Sequence, residues 1–147
     1  MKNYLVIPAS KCNKSAAGPG GPQFLDVYKE MAELQIKSAY KNLKNLDDVF
    51  IIDKEFESTE QLFEYIFHYV YDLAHKEKCN ILQAMSDTLY IRETNIFDVY
   101  KDFSLFGCCP GTLQIPGNPH PLHLDSVRYY PHTMEKETWD WGKKLWS

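Results

Sequence analysis

Three short apolar runs, each stopped by a polar or turn-forming residue, restrict this chain to few folds. Tyr4-Leu5-Val6-Ile7 stops at Pro8, Val49-Phe50-Ile51-Ile52 stops at Asp53, and Asn80–Ala84 runs into Met85-Ser86-Asp87. Runs of continuous rather than alternating apolar residues predict strands buried on both faces. The segments between them have helical spacing. Leu25, Tyr28, Ala32, Ile36, Ala39 and Leu43 recur at steps of three or four, predicting a helix over 24–43. Ser58 and Gln61 form a capping box ahead of Leu62, Phe63, Ile66, Phe67, Val70, Leu73 and Ala74, predicting a second helix that fades at 75–78.

A further strand is predicted at Phe103–Phe106, after a short helix. Strands alternating with helices give an α/β fold with a mostly parallel central sheet flanked by helices. Ligands of such sheets bind beyond the carboxyl ends of the strands, where Pro8-Ala9-Ser10, Asp53 and Ser86-Asp87 all lie. Ser10 to Pro22 is rich in Gly, Pro, Ser and Lys and reads as a loop. It contains neither a G-x-x-x-x-G-K-[ST] nor a G-x-G-x-x-G phosphate loop.

The 147 residues, 44% hydrophobic and 14% aromatic, suit one domain over 1–147. The net charge of −4, with no basic stripe, argues against a nucleic-acid partner. No run approaches the roughly 20 apolar residues of a membrane span, so no membrane partner is expected. The apolar run at 4–7 is too short for a signal peptide, which points to a cytoplasmic location and reduced thiols for Cys12, Cys79, Cys108 and Cys109.

Several constellations are candidates for chemistry. Asp87, at the end of a strand, is either a turn or cap residue, the commoner role for a lone Asp, or a carboxylate that reaches a divalent metal on a diphosphate. Cys108-Cys109 with His120-x-x-His123 offers zinc-type ligands at a spacing that matches no standard zinc motif. A buried thiol pair beside a polar loop is the plainer reading. In Asp125–Pro131, Val127 and Tyr129 alternate with Arg128 and Tyr130, predicting a strand with a charged face. Arg128 either pairs with Asp125 or binds a phosphate. The region from Pro110 to Pro131 holds five of the eight prolines, and a last helix is expected near Trp139, Trp141 and Trp146.

The segment Ile81–Arg92, ILQAMSDTLYIR, followed by Asn95-Ile96-Phe97, resembles the central segment of GT-A-type glycosyltransferases, the nucleotide-diphospho-sugar transferases. The family pattern there is an apolar strand, Asp-x-Asp, Thr or Val, an apolar stretch, Arg and a turn into Phe. Tyr4–Ser10 is similar to the family's first strand, Phe24–Leu43 to its first helix and Phe103–Pro110 to the strand after the motif. Asp125–Leu145 is similar to the acceptor-side strand and helix of small phage-encoded members. The resemblance implies a truncated, Rossmann-like GT-A fold and a protein that binds a nucleotide-sugar donor and transfers the sugar to an acceptor. It implies Mn2+ or Mg2+ held against the diphosphate by Asp87, where the last motif Asp falls. Pro8, Ala9, Ser10, Ser86 and Arg128 would contact the nucleotide, and Asp125 would be the acceptor-side base.

Met85 stands where the first motif Asp would be, and a thioether is a poor ligand for a hard cation. His120 or His123 is the candidate for the late histidine ligand found in family members. The alternative expectation is a degenerate transferase fold kept as a structural or interaction module, in a viral particle or the host cytoplasm. Trp139, Trp141, Trp146 and Tyr129-Tyr130 would then form its partner surface. A carbohydrate-binding module using the same aromatics is a third reading, opposed by the helical spacing.

Overall fold

A computed structural model describes residues 1–14, 25–99, 106–108, 127–130 and 140. In chain order the elements are β1 (Asn3–Pro8), β2 (Lys11–Lys14), α1 (Leu25–Asn42), β3 (Asp48–Ile52), β4 (Glu55–Ser58), α2 (Thr59–Glu77), β5 (Asn80–Ala84), α3 (Ile96–Val99), β6 (Phe106–Cys108) and β7 (Val127–Tyr130). The main sheet has the order β3-β1-β5-β7-β6. β1 runs parallel to both β3 and β5, and β7 runs antiparallel to both β5 and β6. The architecture is therefore α/β, with a small open three-stranded parallel sheet flanked by helices and extended by two further strands, the reversed β7 and then β6.

β1 and β5 are buried along their whole length, as their continuous apolar character requires. Their alternate residues feed two cores. Leu5, Ile7 and Leu82 face α1 through Ala32, Ala39 and Leu43, whereas Tyr4, Val6 and Ile81 face α2 through Leu62, Ile66, Phe67 and Val70. Fully burying a large aliphatic side chain contributes about 1.5–3 kcal/mol, so the two layers hold the sheet between the helices. The connection β1–α1–β3 and the returning connection β3–α2–β5 run in opposite directions across the sheet, which puts their helices on opposite faces, a consequence of right-handed crossovers.

Ser58 caps α2 as expected: its Oγ accepts the Gln61 N–H at 3.3 Å, and Gln61 Oε1 accepts the Glu57 N–H at 3.2 Å. The helix ends at Lys78, a left-handed residue (φ 49°) whose N–H donates to the Ala74 carbonyl at 2.9 Å. Two differences from the sequence reading concern the Gly/Pro-rich stretch and its partner. Lys11–Lys14 is a strand rather than loop, paired in parallel with β4. β2 and β4 continue β1 and β3 past a break, so the pairing of the parent strands overrides the poor strand propensity of Lys and Asn. At the break, the Ala9 N–H and the Ser10 hydroxyl both donate to the Ile52 carbonyl at 2.8 Å. Of the strand expected at Phe103–Phe106, Phe106 lies in β6, which runs on to Cys108, and 103–105 lie outside the described residues.

Two buried acids make the fold sensitive to alkali. Burial, then the charge of Glu77, pushes the Cys79 thiol from 9.0 up to about 11. Burial pushes the Tyr90 phenol from 10.0 up to about 12, opposed by its bond to Gln35. Both groups hold their protons more tightly in the folded chain, so the unfolded state binds fewer protons once they titrate and stability falls as pH rises. The thiol contribution is intact below pH 9.0 and is lost by about pH 11, and the phenol contribution is lost between pH 10.0 and about 12. Urea midpoints should fall steadily across that window. A midpoint that stays level would contradict the burial of both groups.

Candidate functional site

The connection β1–α1–β3 steps to one side of β1, and β3–α2–β5 returns across it to the other side. The carboxyl ends of β1 and β5 therefore flank the point where strand order reverses, the place where open α/β sheets hold ligands. Register puts the sequence-predicted residues on both lips. Asn3 lies opposite Asn80 and Val6 opposite Gln83. Beyond that pairing Ala9 and Ser10 follow the end of β1, and Ser86 and Asp87 follow the end of β5, at the same edge of the sheet.

The two lips differ in exposure. Pro8, Ala9 and Ser10 are buried, and the Ser10 hydroxyl is engaged by the Ile52 carbonyl, so this lip is a wall rather than an open surface. Ser86 is also buried, whereas Asp87 is exposed. Ser86 and Asp87 occupy a turn closed by the Thr88 N–H donating to the Met85 carbonyl at 3.2 Å. Among the described residues, no hydrogen bond or ion pair engages the Asp87 carboxylate. A strand-end Asp that capped its own turn would show such a bond. Met85 is half-buried, with Gln83 Nε2 at 3.8 Å from its sulfur.

Two elements that the sequence reading did not assign to the site also reach it. Tyr28, in the first turns of α1, has its phenol pushed up by burial first, then by the Asp87 charge and by Cys12 on β2. Its spacing on the apolar stripe marked it as core, and only the fold reveals that this member of the stripe lies near the strand ends. Beside it, Lys29 Nζ pairs with Asp53 at 3.7 Å, linking α1 to the end of β3 across an exposed surface. Among the described residues, the strand ends thus carry a carboxylate without a partner and a phenol, with a paired cation at the margin.

Asp125 lies outside the described residues, as do Cys109, His120, His123, Trp139, Trp141 and Trp146. Arg128 is placed by its backbone alone, in β7 opposite Gln83 and Gly107. Among the described residues, no group of three His, Cys, Asp or Glu side chains is arranged to hold a metal ion. A single carboxylate still suits a hard cation of the Mg2+ kind, which is commonly bound by one or two carboxylates plus substrate phosphates.

A cavity of about 450 Å³ opens at the amino ends of the strands beside Asn3, Asn45, Asp47 and Asn80. Its polar groups bond each other: Asn80 Nδ2 to Asn3 Oδ1 at 2.8 Å, Asn3 Nδ2 to the Asn45 carbonyl at 2.9 Å, and the Asn3 N–H to Asp47 Oδ2 at 2.7 Å. These bonds staple the strand starts together. The opposite end of the sheet, where Asp87 has no partner among the described residues, is the better candidate site despite the size of this cavity.

The chain matches no protein-family model, no curated protein and no solved structure. No described helix is long and apolar enough to cross a membrane.

Proposed function

We propose that the protein is glycosyltransferase-like and binds a nucleotide-sugar donor at the crevice between the carboxyl ends of β1 and β5. The observation that carries this reading is Asp87: an exposed carboxylate, without a described partner, at the switch point of a parallel sheet. Asp87 would hold Mn2+ or Mg2+ against the diphosphate, and the bound cation would neutralise charge on the departing group. Tyr28 and the buried Ala9–Ser10 wall would confine the nucleotide on the opposite side. The role of acceptor-side base stays with Asp125, for its place in the sequence at the end of a loop expected to face the site, and that of phosphate contact with Arg128, whose guanidinium suits a phosphate.

Calorimetric titration with UDP and with GDP, with Mn2+ and with EDTA, tests the reading. Asp87→Asn should weaken the Mn2+-dependent affinity about tenfold or more, equivalent to about 1.4 kcal/mol, and leave the affinity in EDTA unchanged. Absence of binding by both nucleotides to the folded protein at millimolar concentration would remove the reading.

Met85 favours a second reading, a decayed transferase fold serving as an interaction or structural module. A half-buried thioether occupies the place of the usual second carboxylate. The aromatic C-terminal segment would then be the partner surface, and its Trp139→Ala and Trp141→Ala variants should lose partner binding without changing any nucleotide response.

A further inference from the structure

We infer that Tyr90 is a positioning residue for Asp87, clamping the chain segment that carries the carboxylate onto helix α1. The inference rests on the cation–diphosphate reading of Asp87 and goes beyond it by assigning what holds that carboxylate in place.

The segment leaving β5 makes few apolar contacts of its own. Leu89 and Ile91 are 58% and 89% exposed, and only Tyr90 between them turns inward to pack on the α1 side of the core. Tyr90 is then bonded to α1 three times. Its hydroxyl accepts from Gln35 Nε2 at 3.1 Å, its N–H donates to Ser38 Oγ at 3.1 Å, and its carbonyl accepts from Asn42 Nδ2. Gln35, Ser38 and Asn42 are spaced three and four apart, so they form one ridge of the helix facing the segment. The Ser38 hydroxyl proton is committed to the Gln35 carbonyl at 2.8 Å, which leaves its lone pairs aimed at the Tyr90 N–H.

A second fastening lies farther along, where the Thr94 N–H donates to the Asn42 carbonyl at 2.8 Å and the Lys44 N–H to the Thr94 carbonyl at 3.0 Å. Asp87 lies between Ala84, the last residue of β5, and Tyr90. Three residues span at most roughly 10 Å, so the Tyr90 anchor confines the carboxylate from one side as the strand does from the other. Without it, the next fixed point is Thr94. Helix α1 also carries Tyr28, the residue whose phenol responds to the Asp87 charge. One rigid helix thus holds both the anchor and the opposing wall of the crevice, which sets the spacing between Asp87 and that wall.

The clamp is polar and incompletely satisfied. Gln35 is fully buried, yet among the described residues its Oε1 has no partner. Exchanging the amide's oxygen and nitrogen would pair the oxygen with the Tyr90 hydroxyl and strand the nitrogen instead. The desolvation cost of that idle oxygen offsets part of what the three bonds contribute.

The test uses the full chain. Amide hydrogen exchange over 86–91 and nucleotide titrations with Mn2+ or EDTA are compared for wild type, Asn42→Ala and Tyr90→Phe. Ser38→Ala is the milder substitute if Asn42→Ala does not fold. Asn42→Ala should raise exchange over 86–91 about tenfold without changing β5, and should weaken only the Mn2+-dependent part of UDP or GDP affinity, by about fivefold. Tyr90→Phe keeps the ring and should show the same pattern more weakly. A merely structural residue would move the EDTA affinity equally, or neither affinity. Unchanged exchange over 86–91 in the folded variants overturns the anchor. Raised exchange with intact Mn2+-dependent affinity overturns the positioning role. A wild type that ignores both nucleotides overturns the donor-binding reading, and the positioning role falls with it.

Discussion

Replacing Leu82 by alanine is expected to cost about 2–5 kcal/mol of folding stability, read as a lower urea midpoint at unchanged slope. Leu82 is fully buried at the middle of β5, where the sheet is covered by β1 on one side and β7 on the other. Its side chain lies in the core layer shared with Ile7, Ala39, Phe97 and the Tyr90 ring. Removing its terminal carbons forfeits their transfer free energy and leaves a void that strands on either side prevent from collapsing. A domain of this kind has about 5–15 kcal/mol in total, so the loss is a large share. Ile81→Ala should cost a similar amount through the α2 layer, which Tyr90 does not join. The pair therefore separates stability from the site: Leu82→Ala should also loosen the segment carrying Asp87, and Ile81→Ala should not. Equal exchange over 86–91 in the two variants would show that the site is indifferent to which core layer is weakened.

Features encoded by local residue pattern were legible in the sequence, and features encoded by pairing were not. Tyr4–Ile7, Val49–Ile52 and Asn80–Ala84 are all strands, and the first and third are covered on both faces, as continuous apolar runs of that length require. The edge strand β3 is the instructive exception, since Ile51 is 42% exposed although its sequence reads like that of a central strand. Ser58 announces α2 because a cap works within a few residues. By contrast, KCNK has no strand propensity, and β2 exists because β1 and β3 arrive side by side and keep pairing beyond the break. Gln35 fell between the stripe positions of α1 and is nevertheless fully buried, because the segment after β5 folds back over that ridge. The same distinction applies at the site. Ser10 and Asp87 could be placed at strand ends from the sequence alone. That one is engaged by Ile52 while the other is open depends on how the strands bend, which the residue pattern does not express.

Met85→Asp should convert the crevice into a stronger cation site, if donor binding is its function. Two carboxylates flanking Ser86 can share an oxygen-preferring ion that Asp87 alone holds weakly, because hard cations gain with each anionic oxygen that replaces water. The expected gain in Mn2+-dependent nucleotide affinity is about tenfold or more, or about 1.4 kcal/mol. The opposing effect comes from packing. Met85 is half-buried against Gln83, so without metal the new carboxylate sits partly desolvated beside Asp87, and the two like charges repel. The variant should therefore melt below wild type in EDTA and recover in Mn2+ with UDP or GDP. Melting temperatures of both proteins under both conditions give the answer directly. A metal-dependent rise in the variant alone marks a decayed site that one carboxylate repairs, and a rise in both marks a working one. If neither responds while both remain folded, Asp87 is a surface residue of a turn, and the likeness of ILQAMSDTLYIR to transferase sequences reflects shared architecture without shared chemistry.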